Sequence, residues 1–151
     1  MLYNFKTGKA GIGVKYHTAK TIAAFLNSEG GLLYIGVNDH GEIVGLDKDY
    51  SLFSGNNRDK LKLEFDDLLR QFFNPFVSSY IQSDILNIEG KDIYVIRVLP
   101  SKIPVVIKQK DPTSHHINGE FYYRQEASSI RITDLAEIIR YIANHKNFNT
   151  N

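Results

Sequence analysis

The chain has no cysteine, no tryptophan and a single methionine in 151 residues. The missing cysteine excludes disulfides, thiol nucleophiles and thiolate metal sites together. It accords with a reducing compartment, and the expected location is cytoplasmic. No apolar run approaches the ~20 residues that a membrane helix needs. Met1-Leu2-Tyr3-Asn4-Phe5-Lys6 carries no apolar signal-peptide core, so no membrane partner is expected. The phosphate-loop pattern G-x-x-x-x-G-K-[ST] is also absent, which leaves Thr7-Gly8-Lys9 without nucleotide-binding meaning. Gly11-x-Gly13 has no strand before it, so a dinucleotide site is unsupported. Acid is missing from the start of the chain: no Asp or Glu occurs before Glu29.

What is present is an ordinary globular composition, 42% apolar and 23% charged, with a net charge of +1. The length suits one domain that buries its own core. The charge is unevenly spread. Lys6, Lys9, Lys15 and Lys20 precede any acid, and Lys102, Lys108 and Lys110 share an acid-free decade. Such a chain can carry one basic face despite near-neutrality, or its lysines can be scattered; spacing leaves both readings open.

The stretch from Lys20 to Val37 organises the rest. Ile22, Phe25 and Leu26 share a helical face, with Thr18 or Thr21 as the expected cap. Gly30 suits the helix stop, since it adopts positive φ at little steric cost. Leu32 to Val37 is apolar on both faces and reads as a central, covered strand. Asn38 to Glu42 is a turn with Gly41 as its left-handed residue, and Ile43 to Leu46 returns as a second strand. Leu61, Phe65, Leu68, Leu69 and Phe72 keep helical spacing over 58–73, after a cap at Asn56 or Asn57. Asn74-Pro75 ends that helix. Strands follow over 78–88, 92–99, 104–110 and 121–124, the first two joined by a turn at Glu89-Gly90-Lys91. Ser128-Ser129 reads as a polar turn. A closing helix spans 134–144, capped by Thr133, with Leu135, Ile138, Ile139 and Ile142 expected inward. Residues 1–17 are expected to form a flexible or extended arm, 18–146 the domain, and 147–151 a frayed tail. This order of helices and hairpin-linked strands predicts an α+β class, a mixed sheet packed by about three helices.

The run KTIAAFLNSEGGLLYIGVNDHGEIVGL resembles the core signature of the Schlafen AlbA family, once labelled a divergent AAA domain. Pro100-Ser101-Lys102-Ile103-Pro104-Val105 is similar to that family's later strand-and-proline segment. Phe121-Tyr122-Tyr123-Arg124 with Ser128-Ser129 is similar to its final strand. The resemblance implies an α+β fold, a DNA-binding or regulatory role, and a homodimer.

Two chemistries follow from it. Nucleic-acid binding, to DNA or RNA, needs cations for phosphate and aromatics for bases. Lys20, Lys102, Lys108, Lys110, Arg124 and Arg131 supply the charge, and Tyr122 shares a strand face with Arg124. The plainer reading of Tyr122 is an ordinary strand former. The alternative is a metal-dependent ribonuclease. Some Schlafen relatives cut RNA with two upstream glutamates in an E-x-x-x-x-E-F-K-like segment and an aspartate after the glycine–valine strand. Here Asn4-Phe5-Lys6 has asparagine where glutamate belongs, and Asp39 is the one acid that matches. Asp39 with Glu29 and Glu42 is then the candidate catalytic set, and Asp39 the candidate metal ligand. No cofactor is expected beyond Mg²⁺ or Mn²⁺ in that nuclease case. A non-catalytic protein-interaction module is the third reading. His17, His40, His115, His116 and His145 lack metal spacing and are expected at the surface.

Overall fold

The computed structural model describes residues 3–4, 9–55, 57–110 and 117–148. Two short strands, β1 (Tyr3–Asn4) and β2 (Lys9–Ala10), pair antiparallel and precede helix α1 (Ile12–Leu26). The helix therefore starts well before Thr18, inside the segment expected to be an arm. Gly11 stands at its N-cap without a side-chain bond. Thr18 and Thr21 are interior residues whose hydroxyls donate back to the Val14 and His17 carbonyls, both at 3.3 Å. Burial of Ala19, Ile22, Ala23 and Leu26 outweighs the cost of Gly13 near the helix start. Gly30, at φ +75°, stops the chain as expected, its N–H donating to the Phe25 carbonyl at 3.0 Å.

Strand β3 (Gly31–Ile35) follows, then the one-turn helix α2 (Asp47–Tyr50) and helix α3 (Asn57–Phe72). All five apolar positions read in α3 are buried. At about 2 kcal/mol each, such side chains supply the main favourable term for that helix. Asn74 is extended and Pro75 opens a 3-10 turn, which leads into β4 (Ile81–Ile88). Strand β5 (Lys91–Val98) returns across a two-residue turn. Then come β6 (Ile107–Lys110), β7 (Ile117–Gln125), β8 (Ser128–Ile132) and helix α4 (Leu135–Asn144).

The class is α+β, as expected. The strand pairings among the described residues are antiparallel, so the mixed sheet resolves into separate sheets, ordered β3-β5-β4 and β6-β7-β8. Strand β3 is an edge with Leu32 and Tyr34 half exposed, not a covered central strand; β5 takes the centre. Residues 43–46 contribute one isolated bridge, Val37 to Ile43, rather than a strand. Ser128 and Ser129 open β8 instead of forming a turn. Helices α1 and α3 join both sheets in one core, where Phe65 meets Tyr94 edge-on at 5.4 Å. Asp134, not Thr133, caps α4, its side chain accepting from Glu137 N. Leu135 and Ile139 of α4 point outward, against expectation.

Candidate nucleic-acid interface

Alternation along β7 places Glu120, Tyr122 and Arg124 on one face and Phe121 and Tyr123 on the other. The first face meets α1. The second meets Tyr141 of α4, whose ring lies 5.6 Å from Phe121 and 5.0 Å from Tyr123. Cross-strand register puts Arg131 opposite Tyr122 and Ser129 opposite Arg124.

A buried carboxylate lies at the α1 contact. Glu120 is 8% exposed. The Tyr16 hydroxyl donates to its Oε2, and the Tyr122 hydroxyl donates to the same oxygen at 3.2 Å. The two hydroxyl oxygens are 2.7 Å apart. Arg131 reaches Glu120 Oε1 at 3.3 Å. Burial first, then the Glu120 carboxylate, pushes the Tyr16 hydroxyl well above the usual phenol range. Burial also raises Tyr122. Both tyrosines are therefore neutral donors that hold the carboxylate.

Cations surround this network. Lys20 Nζ lies 5.3 Å above the Tyr16 ring. The Arg124 guanidinium lies 5.1 Å above the Phe25 ring and donates to Ser129 Oγ at 3.2 Å. Rings of this kind orient a cation while leaving its outer side to solvent. Arg131 keeps half of its side chain exposed despite its ion pair. Three cations thus stand against one buried carboxylate, a basic strip built from α1, β7 and β8.

The other expected contacts fall elsewhere. Lys108 pairs with Gly119, in phase with Phe121, so it lies on the opposite face of the sheet. Lys102 is exposed in the loop before β6, its N–H donating to the Tyr80 hydroxyl at 3.4 Å. Lys110 belongs to β6, and its side chain lies outside the described residues. Tyr122 is only 5% exposed, so stacking on a base is ruled out for it. It shares a face with Arg124, but that face turns inward.

The candidate acids do not converge. Glu29 precedes β3 and lies within 3.2 Å of Lys146. Asp39 and Glu42 follow β3, whose five residues separate the two ends by about 16 Å. Asn38 builds the turn: its Oδ1 accepts from His40 N at 3.0 Å and Glu42 N at 2.9 Å, and its Nδ2 donates to Glu42 at 2.7 Å. Asp39 is exposed beside it. No group of three or more His, Asp or Glu able to hold a metal occurs among the described residues. His17 and His40 are exposed as expected. His145 is partly buried, stacked 5.2 Å from Tyr141, and burial lowers its pKa. His115 and His116 lie outside the described residues.

The order of these elements, from α1 through the double glycine to the β7–β8 hairpin, is that of a known domain. A sequence model described as Schlafen, AlbA_2 matches residues 3–133. The chain belongs to this Schlafen AlbA_2 family. A curated relative, an uncharacterized ATP-binding protein (UU034) of Ureaplasma parvum serovar 3, is 31% identical over 137 residues. That alignment covers 80% of this chain and 37% of the relative, so the chain spans little more than a third of its length. The crystal structure of the DIP2311 protein from Corynebacterium diphtheriae superposes with a TM-score of 0.54 at 18% identity. It covers 88% of this chain and 22% of that one, and shares the fold alone.

Within this AlbA_2 domain, Asn27 and Ser28 explain the asparagine–serine pair in the signature run. Asn27 is fully buried and Ser28 nearly so. Ser28 Oγ accepts from Arg124 N at 2.8 Å, which registers β7 against the end of α1. Local sequence pattern points to neither residue, nor to Tyr16 and Glu120. Their partners lie about a hundred positions away, beyond any local pattern. No helix among the described residues is long and apolar enough to cross a membrane.

Proposed function

We propose that this Schlafen AlbA_2 domain binds nucleic acid, DNA or RNA, through the phosphate backbone along the α1–β7–β8 strip. The observation that carries the reading is the set Lys20, Arg124 and Arg131, partly exposed and held in place by Tyr16, Phe25, Ser129 and the buried Glu120. Pre-positioned cations lose less entropy on meeting a phosphate than free ones. Backbone contact also fits the inward turn of Tyr122, since no base-stacking aromatic is required of that strand.

The test is fluorescence anisotropy of labelled single-stranded RNA, transfer RNA and duplex DNA at several salt concentrations, with and without Mn²⁺, followed by gels. Three phosphate contacts give a log–log salt slope near about −2 to −3. Lys20→Ala and Arg124→Ala should each reduce that slope by roughly 0.7–0.9, while Lys108→Ala, on the far face, leaves it unchanged. Unchanged slopes for Lys20→Ala and Arg124→Ala would remove the strip from the function. Metal-dependent fragments, lost in Asp39→Ala, would restore the ribonuclease reading. The proposal also includes self-association as a homodimer, which would present two strips to one polymer. That part is tested separately, by mass.

A further inference from the structure

The outer face of the β3-β5-β4 sheet is open over most of its extent among the described residues; at one end Ile93, 4% exposed, is covered, where the segment around Ile43 reaches Lys91. Pairing sets its rows. Leu32, Arg97 and Gln82 form one row; Tyr34, Val95 and Asp84 the next; Leu86 with Ile93, then Ile88 with Lys91, complete the face. The opposite face carries Tyr94, Ile96 and Val98, each 2% exposed or less, and belongs to the core. On the outer face Leu32 is 49% exposed, Tyr34 46%, Leu86 44% and Ile88 37%. A shallow concavity of about 270 Å³ lies between Leu32, Leu86, Val95 and Arg97. Strands usually alternate polar residues onto a solvated face, so this apolar content calls for a cover.

The charges on this face identify what covers it. Arg97 stands on the central strand, exposed, and its side chain makes no ion pair or hydrogen bond among the described residues. One row away, the Asp84 carboxylate reaches Lys62 at 3.1 Å, a pair largely open to solvent and so weakly held. The face therefore presents Arg97 and Asp84 side by side amid apolar residues, while its second cation, Lys91, stands at the far end and donates to the Ile43 carbonyl at 3.0 Å. It is complementary to itself. A two-fold axis lying in the interface, midway between the two side chains, sets each Arg97 over the Asp84 of another copy, and does so twice.

We propose that this face is the homodimer interface, two sheets packed face to face around Leu32, Tyr34, Val95 and Leu86, with reciprocal Arg97–Asp84 pairs at the edge of the contact. The inference rests on the homodimer reading above and gives it a location. Two eight-residue strands and the five-residue β3 together cover roughly 330 Å². That is about two-fifths of the ~800 Å² per partner of a standard interface. A contact of this size belongs with weak, transient interfaces, and the dimer is expected to be micromolar or weaker. The basic strip of α1, β7 and β8 stands on other elements and stays free in such a dimer.

Sedimentation equilibrium on the whole 151-residue chain tests this, from about 1 μM to several hundred μM, a range that brackets a micromolar constant. The wild type should fit a monomer–dimer equilibrium. Arg97→Asp and Asp84→Arg should each weaken it at least tenfold, because the symmetry doubles every repulsion. The exchange of both in one chain should recover most of the loss. Circular dichroism and thermal melts establish that each variant is folded; Leu86→Ser, at a half-exposed position, is a second route should a charge variant fail to fold. A wild type that remains monomeric overturns both this inference and the homodimer reading. A dimer indifferent to all four variants keeps the homodimer and overturns this face. Association beyond the dimer overturns the two-fold arrangement. Salt-dependent nucleic-acid binding by the monomeric variants separates the fate of this surface from that of the basic strip.

Discussion

Asn27 and Val105, 78 residues apart, exchange two hydrogen bonds: Asn27 Nδ2 donates to the Val105 carbonyl at 2.7 Å, and Val105 N–H donates to Asn27 Oδ1 at 2.8 Å. A side-chain amide thus pairs with a backbone as another strand would. Its second N–H donates to the Tyr122 carbonyl at 2.8 Å, and its own carbonyl accepts from the Tyr141 hydroxyl at 2.6 Å. One buried residue at the end of α1 ties the approach to β6, strand β7 and helix α4 together.

Replacing Asn27 with leucine should be among the most damaging changes in the domain. It would leave the Val105 N–H and the Val105 and Tyr122 carbonyls buried without partners. At about 1–3 kcal/mol per orphaned group, the expected loss is about 3–5 kcal/mol in urea unfolding, a large share of a normal domain's stability. A loss below about 1 kcal/mol would mean that the site relaxes around the gap.

Gly30 should resist substitution more strongly than Gly41, although both have positive φ, +75° and +81°. A Cβ on Gly30 would lie 2.5 Å from the Val98 carbonyl oxygen, whereas one on Gly41 would meet nothing within 4 Å. Gly41→Ala should cost about 1 kcal/mol, the left-handed strain alone. Gly30→Ala adds a backbone clash and should cost about 2 kcal/mol or more, read as a fall in Tm of roughly 4–8 °C. Equal losses for the two would dismiss the clash.

Asp92 should shape the acid limb of stability. Arg58 binds both of its oxygens, Tyr50 donates to Oδ2 at 2.8 Å, and Asn87 donates to Oδ1 at 2.8 Å. The Arg58 hydrogen bonds hold its carboxyl well below the usual carboxylate range. The folded value lies below the unfolded one, so the stabilisation is complete above the ordinary ~4 and is lost as pH falls through the depressed value. Asp92→Asn should be less stable at neutral pH and should flatten the decline below about pH 4 by up to one proton. Urea unfolding at a series of pH values reads both effects, and parallel acid limbs would refute the assignment.

The turn after β3 separates neighbours by role. Asn38→Ala removes an acceptor of two backbone N–H groups and should cost about 1–2 kcal/mol. Asp39→Ala, at an exposed position, should stay within about 0.5 kcal/mol and leave nucleic-acid retention unchanged. A loss of retention in Asp39→Ala would return that acid to the functional site.

Local sequence determined the parts of this domain whose causes are local. The spacing of Leu61, Phe65, Leu68, Leu69 and Phe72 specifies α3, because a helical period needs nothing beyond its own turns. Gly30 and Gly41 mark positive φ because only their missing Cβ makes it inexpensive. The α+β class follows from the order of such segments, and the family is legible in the run from Lys20 to Leu46. Tertiary structure alone decided which faces are covered. The apolar pattern of α4 announces a face but not its partner, so Leu135 and Ile139 point outward where the period implied burial. Tyr122 and Arg124 share one side of β7, yet α1 buries the first and leaves the second at the rim, pairing Tyr16 with a glutamate 104 positions away. Periodicity records that a side exists; what comes to lie against it depends on pairings between distant segments, whose energy appears only when the chain is folded.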